Sequence, residues 1–460
     1  MTVSKTKKEY DAFMAKWEVV RDVMNSNVFK YIRNVDKRDI ERNERYKKDA
    51  QFTNFTSRTQ MGLVGAVFRK ELVMNLPSEI KYAELDATGF KMSMSKLAQK
   101  ITGEVLLTGR YGLLVDYPAS EDGLTAKEVA DKDLKARIYT YSAESIINWQ
   151  VKNINGSPKL LLVVLKENVE ELAEDGFSWI ESFQYRVLRM SGGIYTQDIY
   201  DGDEELVSTV LPKKASGEVW DHIPFVFIGS QDNDESCDLV PLYDLAALNI
   251  GHLKNSADYE ESIFLVGQPT LVLGTEMSTE QFKEANPGGV LFGSRRGLNL
   301  GVSGHASLLQ ASPNQLADAA MKRKEEQAVM MGARLLSSGA DRETALAARM
   351  RHSGETSVLS TISHNVEEAL RQCCQFLLAF MSVKSSDEVI ALTVNDHFFD
   401  ENIDPNSLMA QIQLVNASII AKTDVRQYLR QVGVVAETRT DDMIDSDISE
   451  DAPIDGPIVT

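Results

Sequence analysis

Few residues of this chain stand at spacings that do chemistry. His364, Glu367 and Glu368 share one helical face if their segment is a helix, and they have the types of metal ligands. No second histidine lies near them, so a solvated charged face is the expected reading. Asp201, Asp203, Glu204 and Glu205 crowd carboxylates as a hard cation requires. Beside Gly202 the same run reads more simply as a solvated turn. A phosphate-cradling GxxxxGK[ST] loop is absent, and GVSGH at 301–305 departs from the GxSxG nucleophile elbow. His222, His252, His305, His352 and His397 are isolated and read as surface or capping residues. Cys237, Cys373 and Cys374 are too few and too odd for a disulfide framework. Adjacent Cys373 and Cys374 would point about 100° apart on a helix and cannot easily share a metal. The three read as reduced packing thiols of an intracellular or virion protein. Aromatic residues make up 8% and do not interleave with a basic patch, so no base-stacking surface is indicated. No catalytic residue, metal site or cofactor is assigned, and the chain is not expected to be an enzyme.

The elements that would position these residues alternate between two patterns. Phe13, Trp17, Val20 and Met24 recur at helical spacing over 10–26. Ser57 to Gln60 has the form of a capping box, opening a helix over 57–72 with Met61, Val64, Phe68 and Leu72 on one face. Leu97, Ile101 and Val105 stand four apart, and Gly109 sits where a helix over 94–108 would end. From 110 to 230 the pattern is β. YGLLVDY at 111–117, closed by Pro118, is followed by apolar runs at 137–141, 159–166, 178–190 and 193–200, and by PFVFI at 224–228. Asn155-Gly156 and Gly192-Gly193 mark turns, and 119–136 reads as a surface insertion.

Helical patterning returns at Val240. Residues 251–262, GHLKNSADYEES, are polar almost all round, so this helix needs neighbours. Copies of itself are expected, with Gly251, Ser256 and Ala257 permitting close approach. Gln268-Pro269 ends it, PTLVLG reads as a strand, and 275–312 is rich in Gly, Ser and Asn. Ser312-Pro313 opens a second helix over 314–336, followed by a small loop, SSGADRE, at 337–343. A long helix over 344–381 repeats Leu359, Ile362, Val366, Ala369, Cys373, Leu377 and Phe380, and Gly354 predicts a kink or break in it. A strand within 383–394 and one or two short helices over 405–432, broken near Lys422, come next. The last 21 residues, with seven carboxylates and no Lys or Arg, read as a solvated tail.

The whole is an α+β chain of 460 residues, 43% apolar and 25% charged, which excludes disordered and collagen-like classes and allows more than one core. Its 49 basic and 68 acidic residues leave a net charge of −19, against non-specific adhesion to nucleic acid or anionic lipid. The basic N-terminus lacks the apolar stretch of a secretory signal, and the longest apolar run, Leu160 to Leu165, is far short of a membrane span. No membrane partner is expected.

Three stretches together, FTNFTSRTQMGLVGAVFRK (52–70), GEVLLTGRYGLLVDYP (103–118) and YSAESIINWQ (141–150), resemble the portal proteins of tailed bacteriophages. A long helix beginning GADRETALAAR (339–349) adds to the likeness, which covers about residues 50–440. The resemblance implies a portal-type fold. Its parts would be a helical and β wing (1–236), a first stem helix (237–266), a short clip (267–312) and a second stem helix (313–336). A tunnel loop (337–343), a long kinked wing helix (344–382) and a small helical crown with the acidic tail (383–460) would follow.

It further implies a homo-oligomeric ring, usually a dodecamer, at one capsid vertex, through which double-stranded DNA is packaged and ejected. Terminase, the head–tail adaptor, the major capsid protein and scaffold would be partners. The location would be the virion, and the host cytoplasm during assembly. Ser337, Ser338, Gly339, Ala340, Asp341, Arg342 and Glu343 would line the narrowest part of the channel, with Lys322, Arg323, Lys324 and Arg334 on the preceding helix. Arg295 and Arg296 would bind a partner in the clip. Twelve such subunits sum to roughly −200 charges, which suits a bore along which DNA slides. Packaging energy would come from a separate motor. The alternative is another phage structural ring, a head–tail connector or baseplate component, without a packaging role. Two antiparallel neighbouring helices flanking 267–312 separate these readings. An enzyme using the acidic clusters is the third.

Overall fold

A computed structural model describes residues 2–117, 135–173, 175–268, 270–290, 297–309, 315–332, 345–381 and 390–395, and parts of 409–450. In chain order the elements are α1 (Lys8–Met24), α2 (Ile40–Asp49), α3 (Phe55–Val67), β1 (Val73–Asn75), α4 (Tyr82–Leu85), α5 (Met94–Thr108), β2 (Arg110–Asp116), β3 (Arg137–Ser142), β4 (Ile146–Ile154), β5 (Ser157–Leu172), β6 (Trp179–Ser191), β7 (Ile194–Tyr200), β8 (Leu206–Val210) and β9 (Phe225–Gly229). Then come α6 (Tyr243–Gly267), β10 (Thr270–Gly274), α7 (Thr279–Ala285), β11 (His305–Leu309), α8 (Leu316–Met330), α9 (Ala345–Phe380), β12 (Ala391–Thr393), α10 (Lys422–Gln431) and α11 (Asp441–Glu450). The mixture of helix and sheet agrees with the α+β reading.

The core forms where apolar faces have no alternative but each other. β2 pairs antiparallel with β3 on one side and β9 on the other, so both its edges are satisfied. Its first six residues are buried, as a central strand covered on both faces must be. Against this sheet lies α5, whose buried residues include Met94, Leu97, Ile101, Val105 and Leu106. The later part of α9 adds Leu359, Ile362, Val366, Leu370, Cys373, Cys374 and Leu377, all buried. Burial raises both of these thiols, Cys374 to about 12, as packing thiols require. From α1, the fully buried Trp17 donates its indole N–H to the Thr108 carbonyl at 2.7 Å. A second sheet, β4-β5-β6-β7-β8, is an antiparallel meander.

The joint between α5 and β2 also positions the approach to α6. Gly109 closes α5 in the left-handed region at φ 69°. A Cβ there would strike the Leu239 carbonyl and lie 2.9 Å from that of Asp238, so only glycine lets the two segments touch. Next to it Arg110 is 1% exposed, its guanidinium 4.0 Å from the Trp149 ring and 4.5 Å from that of Phe227. One of its nitrogens donates to the carbonyls of Glu235 and Ser236 at 2.8 and 2.7 Å. This holds the loop that leads into α6.

Several sequence expectations need correction. The cap of α3 is Asn54, which accepts from the Ser57 N–H at 2.9 Å; Ser57 lies inside the helix, and Leu72 lies beyond its end in the core. β4 adds a strand not named above, although Ile147, Trp149 and Val151 alternate with Asn148, Gln150 and Lys152 as a half-buried strand does. α7 stands in the segment read as irregular, opened by a reciprocal capping box of Ser278 and Gln281. α9 runs through Gly354 without the break that was one of the two expectations there, and the described acidic stretch after Thr440 is exposed, as a solvated tail is, but helical in α11. The expected insertion over 119–136 falls almost wholly outside the described residues.

Candidate functional site

Of the residues singled out from the sequence, Gly251, Ser256 and Ala257 lie on α6 and Lys322, Arg323 and Lys324 on α8, so the site is built from this helix pair. Its contacts run in opposite senses along the two helices: Lys324 meets Asn255, and Glu325 meets His252. The pair is therefore antiparallel. It is joined beyond α6 by β10 and β11, which pair antiparallel from Thr270↔Leu309 to Gly274↔His305.

Polar bonds rather than apolar area tie α6 down. Asn249, fully buried, accepts from the Phe55 N–H at 2.9 Å and donates to the Thr53 carbonyl at 2.7 Å. Ser256 accepts from the Gln51 N–H at 2.8 Å. The Tyr46 hydroxyl donates to Asp258 at 2.6 Å, and Arg42 pairs with Glu261 at 2.8 Å. His252 lies edge-on to Phe55 at 5.0 Å, with Nε2 3.1 Å from Glu325. These partners belong to the same chain. The expectation that copies of the chain pack against Gly251, Ser256 and Ala257 is corrected for Ser256 and Ala257, which are buried within their own chain; Gly251 is partly exposed. Gly251 lies under the Lys324 stem, Ser256 is bonded to Gln51, and Ala257 is fully buried. A polar helix face is satisfied as well by a polar face of its own chain as by a symmetry mate.

The three described cations of α8 part company. Lys324 turns inward and donates to Asn255 at 2.6 Å. Lys322 is exposed and pairs one turn back with Asp318 at 2.9 Å; that hydrogen bond raises its ammonium pKa. Arg323 is exposed. So no triad of free cations lines a channel, and Lys322 and Lys324 are engaged within the chain. Arg334, Ser337 through Glu343, and the clip pair Arg295 and Arg296 lie outside the described residues. Asn249, Asn255, Asp258 and Glu261 were missed in the sequence, because their partners are distant in the chain.

The acidic clusters resolve into structural ties. Glu367 was read as part of a solvated face, but it bonds Arg371 at 2.7 Å and accepts the Val394 N–H at 3.1 Å. Glu368 accepts from Asn233 at 3.2 Å. Asp201 accepts the N–H groups of Asp203 and Glu205 and so forms the turn between β7 and β8. Glu204 accepts from the Val3 N–H at 3.1 Å. Among the described residues no group of three or more His, Cys, Asp or Glu is arranged to hold a metal, and no helix is long and apolar enough to cross a membrane. A cleft of about 530 Å³ is lined by Phe90, Lys100, Tyr139, Lys166, Glu167 and Gln184 among others, with no His or Cys. Its Glu167 is already engaged by Arg186 at 2.7 Å and Tyr141 at 2.6 Å.

Residues 241–381 match a family model described as a domain of unknown function (DUF4055), which begins two residues before α6. No curated protein matches the chain. Among solved structures, a chain in "Virion of native gene transfer agent (GTA) particle" is similar at a TM-score of 0.41 and 12% identity, covering 82% of this chain and 89% of that one. A chain in "Neck of empty GTA particle computed with C6 symmetry" is similar at 0.41 and 12%, covering 81% and 88%. Similarity of that degree carries no argument about role.

Proposed function

We propose that the chain is a portal-type subunit that assembles into a closed ring at a capsid vertex and forms a non-enzymatic conduit for double-stranded DNA. The observation that supports this most is the antiparallel pair α6–α8 with the β10–β11 hairpin between its ends. A connector or baseplate ring has no need of that arrangement. Ile263 and Leu265 on α6 and Leu316 and Met330 on α8 are 49%, 49%, 77% and 60% exposed. Apolar side chains left exposed along the pair suit lateral neighbours. Cyclic closure is one such contact repeated head to tail.

In this reading the helix pair is the stem and 267–312 the clip. Residues 337–343 reach the bore, and Arg295 and Arg296 meet terminase or adaptor. The test is imaging of the purified protein with native mass spectrometry. A ring with a central hole, its α6–α8 pairs around the axis, is the expected result. A ring with those pairs on its outer circumference, or a monomer under all conditions, overturns the proposal. Deleting Gly339 and Ala340 should leave the ring intact and impair DNA packaging or retention.

A further inference from the structure

The five-stranded sheet is not of uniform width. β4 pairs with β5 only as far as Leu165, and β7 with β6 only as far as Tyr185. Beyond these points Glu167–Leu172 and Trp179–Gln184 pair only with each other. They form a two-stranded arm about 20 Å long at about 3.3 Å per residue. A lone two-stranded ribbon is marginally stable in water unless something covers a face.

The arm carries what a covered face carries. Phe177 is 89% exposed, Trp179 63%, Ile180 56% and Leu172 54%. Trp179 stands opposite Leu172, and two positions along the same face Glu181 stands opposite Glu170. Like charges directly opposed cost stability until a cation joins them. Residues 167–183 contain six carboxylates and no Lys or Arg. The tip is nonetheless built, since Asp175 accepts the N–H groups of Phe177 and Ser178 at 2.9 and 2.8 Å.

Most of the chain would repel such an arm. The first 100 residues are the exception, with 20 Lys and Arg against 13 Asp and Glu in a molecule of net charge −19. Within them, the stretch entering α2 exposes Phe29, Val35 and Ile40, the last at 71%, beside exposed Arg33, Lys37 and Arg38. Its acidic members are occupied locally: Asp36 accepts the Arg38 N–H at 2.9 Å, and Asp39 caps α2. Apolar and acidic on one side, apolar and basic on the other, the two surfaces are complementary.

We infer that the β5–β6 arm of one copy docks on residues 29–40 of a second copy, with Trp179 and Leu172 against the apolar side chains and Glu170 and Glu181 of the same face against Lys37 and Arg38. The contact is heterologous, joining different patches, and so propagates around a ring. The inference rests on the ring reading above for the existence of the neighbour.

The experiment uses the full chain with benzoylphenylalanine in place of Trp179. Irradiation should join two chains through a peptide containing residues 29–40. In parallel, the double variant Glu170→Lys/Glu181→Lys should weaken subunit association at least tenfold by sedimentation, with unchanged circular dichroism. Adding Lys37→Glu and Arg38→Glu to it should restore assembly. An intact ring that cross-links elsewhere, or is indifferent to the charge reversal, overturns the arm contact and leaves the ring standing. A wild-type chain that stays monomeric overturns both.

Discussion

α5 and α6 are held by opposite means. Of the 15 residues of α5, ten are buried, and they are mostly apolar. Of the 25 residues of α6, eight are buried, and the last of these is Ala257. Asn249, His252 and Ser256 are among the eight, so even the rooted half of α6 is bound partly by hydrogen bonds. Its other half is steadied by α8 and by Tyr46 and Arg42 of α2. A helix of the first kind is stable wherever its chain folds, because apolar contact is non-directional. A helix of the second kind depends on geometry, and its exposed remainder is free to meet something else.

The sharpest way to break the comparison is to substitute in both helices. Ile101→Ala, in the fully buried α5 face, should cost about 2–5 kcal/mol of whole-chain stability in denaturant unfolding. Asn249→Ala should cost less, about 1–3 kcal/mol, because it removes the buried acceptor of the Phe55 and Thr56 N–H groups and one donor to the Thr53 carbonyl, while the 3.0 Å bond from the Phe55 N–H to that carbonyl remains. Its signature should be faster amide exchange in α6 with α5 unchanged. Equal loss of protection in both helices would contradict the division.

Acid should act on the body chiefly through two arginine-paired carboxylates, against the opposite pull of Asp116 and Asp238, which burial raises. Burial tends to raise Glu144 and Glu167, but hydrogen bonds from Arg21 and Arg186 outweigh it, and both lie below the ordinary 4.5. A depressed folded value means stability that is present above 4.5 and lost as pH falls through the lowered values. The melting temperature should therefore fall on acidification below about pH 4.5, and Glu144→Gln should flatten that fall. The smallest effect is expected at Gly251→Ala. Only the flexible end of Lys324 lies near, 3.1 Å from the added Cβ, and alanine favours a helix by about 0.5–1 kcal/mol. A slight gain in stability with assembly unchanged is expected. Loss of assembly would place Gly251 in a contact between copies.

What was legible in the sequence was whatever depends on near neighbours. α5 and its Gly109 end followed from three apolar residues and a glycine, and β2, β6, β7 and β9 followed from apolar runs. The caps were equally local but partly misassigned: Ser278 and Gln281 were a visible capping box that went unread, and Asn54 outcompeted Ser57. The site was less legible. That α6 needed neighbours was plain from its polar residues, but which neighbours was not, since Gln51, Thr53 and Phe55 lie about 200 positions away. Nothing local tells a face covered by its own chain from one covered by a copy.

The antiparallel return of α8 along α6 has a consequence for how this molecule can diversify. The chain leaves the body along α6 beyond Phe264 and comes back along α8, where Ala328 is again in the core. Among the described residues, the segment between Gln268 and Gln315 is thus joined to the body through these two adjacent helices. Residues can be gained or lost between Gln268 and Gln315 with little strain on the core, since lengthening a surface connection costs only its closure entropy. The segment beyond the two helices can change in length and sequence while the folding of the rest stays the same.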